Sequence, residues 1–386
     1  MMIVRPIKKS DHLALRDLAR KTGPGFTSLQ DNDAQVKDKL AQALAAFLSS
    51  DNEPPAEALY LFLMEDLSNQ KIVGICGIEA SVGLTEPWYS YRVNMQIHAS
   101  RELNVYNRLH TLTLSNDHTG CSELCTLFLL PEARKNKNGS LLSKSRFLFL
   151  AEFSQRFNPV IIAEMRGYFD QQGHSPFWDG LGSHFFTLDF TEADRLSAID
   201  KAFISELMPK HAIYTNLLTK PAQEVISKTH RLTEPARKML EDEGMNYSGH
   251  VDIFDGGPTL QGQLSELRAV KDSRYAHVEI TESEPTTTSN NSADHIYLIS
   301  NCEFANFRCC MTSLQQEPGH IISLSPIIAQ ALEVDNGGTV RIVALYPAQR
   351  KTTIPTTEKN TSITESLAHS LSSAPLQSTA NEDPKS

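Results

Sequence analysis

The stretch that most constrains the fold runs from 123 to 165. Residues 123–130 read ELCTLFLL, almost continuously apolar, and predict a buried central strand. A proline follows at once, then a basic turn with Arg134, Lys135 and Lys137. Gly139 and Ser140 open a helix predicted over 139–157, and another strand is predicted over 160–165. So apolar a strand is expected in the interior of a sheet.

The rest of the first half fits round it. A strand at 3–7 leads into a helix capped by Ser10, carrying Leu13, Leu15 and Leu18 and closed by Gly23-Pro24-Gly25. A second helix is predicted over 31–48, then strands over 59–65 and 71–79 joined as a hairpin at 67–70. Residues 89–98 alternate as a further strand; 175–181 read as a short helix and 184–188 as the last strand. Beyond lie predicted helices at 200–207, 221–229 and 234–243, a strand at 249–254 and the turn Asp255-Gly256-Gly257-Pro258. Strands at 295–300, 303–311, 320–324 and 338–345, interrupted by a helix at 325–333, suggest a small β-barrel-like module. The polar stretch 281–294 reads as a linker and 351–386 as a disordered tail. A loose echo of 162–182 in 204–244 is either a degenerate repeat or the ordinary helix–Gly–strand chemistry of a C-cap.

Composition enters here as an exclusion. The formal net charge of −10 argues against a nucleic-acid footprint, which needs a basic patch. No signal-peptide stretch opens the chain and no apolar run is long enough to span a membrane, so a cytoplasmic location is expected. The six cysteines are expected as reduced thiols. Cys121 and Cys125 lack a second Cys/His pair, so no metal site is expected.

In an acidic chain, a cluster of Arg134, Lys135 and Lys137 at a helix N-terminus is an anion site. Gly139 lets a phosphate approach the backbone closely; the alternative is a plain strand–turn–helix with a solvated basic turn.

The element order and this loop resemble the acyl-CoA-dependent N-acyltransferase fold. There a buried strand feeds an Arg/Gln-x-x-Gly-x-Gly/Ala loop and a long helix. Arg134, Lys137 and Gly139 fall on the three marked positions, with Lys137 where the family has its middle glycine. Longer strings resemble the arginine N-succinyltransferase family: residues 83–93, 98–103, 114–120, 122–129, 163–167, 175–178, 202–204 with 206–209, and 252–260. The resemblance is dense over 2–275 and looser over 295–345. It implies an α+β class: an N-acyltransferase-like mixed sheet flanked by helices over 1–190, which binds CoA. A second half at 191–280 carries His230, and the small β module occupies 295–348.

The implied activity moves succinyl from succinyl-CoA to the α-amine of L-arginine, the first step of a bacterial arginine-degrading pathway. Succinyl-CoA is then a co-substrate, and no permanently bound cofactor is expected. Family members form homo-oligomers or pair with a paralogous subunit. Other readings are a relative acting on ornithine or lysine, and a non-catalytic CoA-binding partner subunit.

His230 matches the family's assigned proton donor, and histidine titrates in the right range. Leu127 matches a position contacting succinyl-CoA; it could equally be core, with its backbone serving the ligand. Glu123, heading the buried strand, stands where related N-acyltransferases keep a general base; otherwise it is a strand-end glutamate. Arg134, Lys137, Gly139 and Ser140 are expected to hold the CoA phosphates. Arg92 or Arg166 is a candidate for the succinyl carboxylate, and Asp117, Asp252 or Asp255 for the guanidinium.

Overall fold

The computed structural model describes residues 1–22, 26–49, 56–197, 202–282, 296–314 and 317–347. Within them fifteen strands form one sheet. In chain order they are β1 (Met2–Pro6), β2 (Leu59–Asp66), β3 (Lys71–Glu79), β4 (Ser90–Ser100) and β5 (Val105–Ser115). Next come β6 (Ser122–Leu129), β7 (Val160–Glu164), β8 (Ile213–Tyr214), β9 (Asn246–Val251) and β10 (Pro258–Gln263). The last are β11 (Arg274–Ile280), β12 (Ile296–Asn301), β13 (Cys309–Ser313), β14 (Ile321–Leu324) and β15 (Thr339–Ala344). Their order across the sheet is β14-β11-β15-β12-β13-β1-β2-β3-β6-β7-β10-β9-β4-β5-β8. The α+β architecture with a mixed sheet agrees with the expectation: β6–β7 and β11–β14 are parallel and the other ladders antiparallel.

Ten helices accompany the described sheet. They are α1 (His12–Thr22), α2 (Asp33–Leu48), α3 (Asn138–Glu152), α4 (Pro176–Gly180) and α5 (Phe190–Ser197), then α6 (Ala202–Leu207), α7 (Lys220–Val225), α8 (Glu234–Asp242), α9 (Arg268–Asp272) and α10 (Pro326–Leu332). Helix α3 follows the basic turn and is buried from Leu141 to Leu150, so it has no solvent face. Two cations are buried in it, each satisfied. Arg146 donates to the carbonyls of Ser143, Gly77 and Cys125. Lys144 lies 2.8 Å from Glu243 and donates to the Leu345 carbonyl. Arg268 grips the same Glu243 at 2.7 Å and donates to the Ala344 carbonyl, so one buried carboxylate ties α3, α9 and the end of β15 together.

Several boundaries differ from the sequence reading. Helix α3 ends at Glu152 and gives way to a 3-10 turn, Ser154–Arg156, because Asn158-Pro159 cannot continue it. No strand forms at 184–188. Phe186 instead stacks on Trp178, 5.4 Å between ring centres, so this apolar run is a packed loop. Helix α7 stops at Val225, and β9 spans 246–251 rather than 249–254. Strand β13 begins only at Cys309. Strands β5, β10 and β11 were not expected; each mixes polar and apolar residues without a continuous apolar run. The linker from 283 onward, the Gly23-Pro24-Gly25 turn and the 351–386 tail lie outside the described residues. All six cysteines are free thiols. Among the described residues, no helix is long and apolar enough to cross a membrane.

Candidate active site

Strands β6 and β7 are parallel neighbours, yet they register at only two pairs, Ser122↔Ile161 and Glu123↔Ile162. Beyond Glu123 they diverge. A bulge in β6 contributes: the ladder with β3 passes from Gly77↔Cys125 to Ile75↔Phe128, leaving Thr126 and Leu127 opposite Cys76 alone. Thr126 takes a left-handed φ of 52° to do so. The cleft that begins between the parting strands has a volume of about 860 Å³. Its walls include Glu123 to Phe128 of β6, Glu164 to Arg166 at the end of β7, Arg134, His230, Asp194 and the 252–255 loop.

His230 reaches this cleft through the loop between α7 and α8. That loop is stitched to the end of β7 by a Gly167↔Thr229 bridge, and the His230 N–H donates to the Arg166 carbonyl at 2.8 Å. The turn 255–258 closes on the same place. A Cβ on Gly167 would collide with the Asp255 carbonyl, and one on Gly257 with the Met165 carbonyl. Only glycine permits this approach. The Leu232 N–H donates to His230 Nδ1 at 3.2 Å, so a neutral ring carries its proton on Nε2. Burial, followed by the charges of Arg166 and Arg231, holds the imidazole below its usual pKa.

The carboxylates divide by environment. Glu123 is buried and faces Glu79 in the β3–β6 register. With Cys125 these two form the one group of potential metal ligands among the described residues, their ligand atoms within 4.8 Å of one another. Burial, then the charges of Glu79 and Glu123, pushes the Cys125 thiol well up, which leaves it protonated and a poor metal ligand. Asp255 is buried and receives N–H bonds from Gly167 at 2.7 Å and Gly257 at 2.8 Å, a structural task. Asp252 caps its own turn by accepting from Phe254 and Asp255. Asp194, missed in the sequence, is raised to about 7 by burial and then by the charge of Asp252. The Arg166 guanidinium carbon lies over the Phe169 ring, 4.5 Å from its centre, and its buried Nε has no hydrogen-bond partner among the described residues.

On the loop side, Arg134 is exposed and its Nε donates to the Leu129 carbonyl at 3.0 Å. Asn136 and Lys137 both take left-handed φ, 50° and 60°, and Lys137 is the N-cap of α3. The lysine thus holds the conformation for which the related loop uses glycine. Its ammonium sits 5.1 Å from the Tyr346 ring centre. A Cβ at Gly139 would meet nothing within 4 Å, so the first turn of α3 is open to an approaching group. The N–H groups of that turn have no intrahelical partners.

The cleft therefore brings together Glu123, Leu127, Arg134 and His230, and with them Arg166, Asp252 and Asp255. Lys137, Gly139 and Ser140 belong to the adjoining turn and helix start rather than to the cleft lining. Arg92 and Asp117 stand apart from it, 3.4 Å from each other, with His250 3.0 Å from Asp117. Leu127 is half-buried and packs against the main core while its strand lines the cleft. No motif marks Glu79 or Asp194 in the sequence.

Comparisons with known proteins converge on one family. A family model described as the arginine N-succinyltransferase beta subunit matches residues 2–269, and its C-terminal domain matches residues 278–344. An arginine N-succinyltransferase of Yersinia pseudotuberculosis is 48% identical over 354 residues, 91% of this chain and 100% of that protein. One from Escherichia coli is 47% identical over 353 residues, again 91% of this chain and 100% of that protein. The solved structure of arginine/ornithine succinyltransferase subunit AI from Pseudomonas aeruginosa superposes with a TM-score of 0.81 at 34% identity, covering 90% of this chain and 99% of that one. With whole-length relatives at this identity and a shared fold, the chain belongs to the arginine N-succinyltransferase family.

Proposed function

We propose that the cleft transfers succinyl from succinyl-CoA to the α-amine of L-arginine. The observation that carries the reading is the opening between β6 and β7, with Glu123 and His230 on its walls. The free edge of β6 over 124–128 offers backbone groups to the pantetheine amides, Leu127 among them. Arg134, Lys137 and the N–H groups of Gly139 and Ser140 take the phosphates. Glu123 accepts the proton of the attacking amine. The new C–N bond forms at the thioester carbon and the C–S bond breaks; the neutral His230 ring hydrogen-bonds the departing thiolate through Nε2–H, and the thiolate takes up the proton that Glu123 removed from the amine.

Arg166 is the clamp for the succinyl carboxylate, since Arg92 is engaged with Asp117 away from the cleft. Of the aspartates considered for the guanidinium, Asp117 is occupied outside and Asp255 accepts a backbone N–H on each of its two carboxylate oxygens. Asp252 takes both of its backbone N–H bonds on Oδ1 and is the better candidate, with Asp194 beside it. Residues 1–190 act as the CoA-binding part, 191–280 bring His230, and 295–348 form the C-terminal module. The enzyme works in the cytoplasm, without a resident cofactor. It does so as a homo-oligomer or beside a paralogous subunit.

Ornithine is a second acceptor to consider, because the Pseudomonas relative is named for both amino acids. Thiol release from succinyl-CoA, compared for arginine, ornithine, lysine and no amine, decides between these. Release that arginine does not raise above hydrolysis would overturn the reading and favour a non-catalytic CoA-binding subunit.

A further inference from the structure

Helix α2 presents two sides. Val36, Leu40 and Phe47 are buried in the main core. Gln35, Asp38, Lys39 and Gln42, spaced three and four residues apart, share a second side that lines the cleft. Lys39 is half-buried there. Burial, then the charges of Glu79 and Glu123, push the Cys125 thiol up, and the Lys39 ammonium pulls it back down. The ligand atoms of Cys125, Glu79 and Glu123 lie within 4.8 Å of one another, so Lys39 is an electrostatic neighbour of Glu123.

Four lysine and arginine side chains line the cleft among the described residues: Lys39, Arg134, Arg146 and Arg166. Arg146 spends its donors on the Ser143, Gly77 and Cys125 carbonyls and on the Ser143 hydroxyl. Arg134 belongs to the basic turn before α3, and Arg166 is taken by the succinyl carboxylate. Lys39 remains. Among the described residues it has no ion pair, whereas Lys37, two residues earlier, is held by Asp33 at 2.8 Å.

L-Arginine brings three charged groups to this cleft. Its amine goes to Glu123 and its guanidinium to Asp252, which leaves the α-carboxylate to be matched. Carboxylate and amine hang from the same carbon, so the partner of one must stand beside the base that serves the other. We propose that Lys39 binds the α-carboxylate of the acceptor and thereby selects α-amino acids over their decarboxylated amines. The proposal rests on the acyl-transfer reading above. An ammonium at this place also lowers the proton affinity of the neighbouring amine, which favours the neutral nucleophile.

The test compares L-arginine with agmatine, the same molecule without its carboxylate, by thiol release from succinyl-CoA. Wild type should prefer arginine by about 10²-fold or more in kcat/KM. Lys39→Met should reduce that preference about 10–10²-fold, the worth of one charged hydrogen bond, with the loss mainly in the KM for arginine. The KM for succinyl-CoA should not move, and Lys39→Arg should keep most of the preference. Thermal melts check folding, and Lys39→Gln repeats the comparison should the Met variant melt early. A wild-type enzyme that takes agmatine as readily as arginine, or a Lys39→Met enzyme that loses both acceptors equally, overturns the proposal while acyl transfer stands. So does a loss that follows the donor, succinyl-CoA against acetyl-CoA, rather than the acceptor. Thiol release that no acceptor raises above hydrolysis overturns the acyl-transfer reading and the proposal with it.

Discussion

Removing the imidazole of His230 is the sharpest test of the mechanism. Its Nδ1 is taken by the Leu232 N–H, so one donor, Nε2–H, is free for the cleft. Removing one donor aimed at developing charge costs about 2.7–4 kcal/mol, or 10²–10³-fold in kcat. His230→Ala should fall in that window, with the KM for succinyl-CoA little changed. His230→Gln, which retains a donor, should recover part of the loss. The pH profile separates a neutral donor from an imidazolium acid. The pKa lies below its ordinary value, so the ring is neutral through pH 7 and above. Activity should be lost as pH falls through the lowered pKa, when Nδ1 gains a proton that faces the Leu232 N–H. It should not decline as pH rises from 6.5 to 8.5. Thiol release under single-turnover conditions reads the chemical step, with thermal melts as the folding control. A His230→Ala enzyme within threefold of wild type would refute the reasoning and shift proton handling to Glu123. So would a His230-dependent decline between pH 7 and 8.

Four further outcomes follow from the geometry. Arg166→Met should reduce kcat/KM for succinyl-CoA about 10²-fold, the worth of a charged hydrogen bond, and leave acetyl-CoA turnover nearly unchanged. Equal losses with both donors would remove Arg166 as the carboxylate clamp. Asp194, raised to about 7, gains its charge as pH rises through that value, so the KM for arginine should fall from pH 6 to 8 and the trend should vanish in Asp194→Asn. Lys137→Gly should relieve a left-handed residue, stabilising by up to about 1 kcal/mol, yet raise the KM for succinyl-CoA several-fold through loss of the cation. Glu243→Gln leaves the Lys144 ammonium and the Arg268 guanidinium without their buried carboxylate and should cost about 3–5 kcal/mol by denaturant melts.

Much of the fold was legible because its signals are local. The apolar run at 123–130, the basic turn and the glycine at 139 locate β6, the loop and α3 without any tertiary information. Strand β5 was not legible, since His110, Arg108 and Asn107 leave it no continuous apolar face until Leu112. The bulge at Thr126 has no glycine to announce it, so the divergence of β6 from β7 is a property of the sheet rather than of either strand. Within the site, Glu123, Leu127, Arg134 and His230 could be named from strings, whereas Asp194 and Glu79 arrive by folding alone. The demotion of Asp255 to a structural acceptor also needed coordinates, because the two N–H groups that bind it come from Gly167 and Gly257.

The two-pair register between β6 and β7 means that the sheet lacks a rung where it is deepest. Main-chain donors and acceptors along 124–128 have no ladder on that side, and an unpaired main chain inside a protein is costly. An extended ligand with alternating amides satisfies those groups as an inserted strand would. The enzyme should therefore gain cohesion from its own substrate. Bound CoA should slow amide exchange at 124–128 and raise the melting temperature by the linkage relation for a ligand that binds only the native state. Desulfo-CoA, with the same amides and no thiol, should protect the strand as well as CoA does.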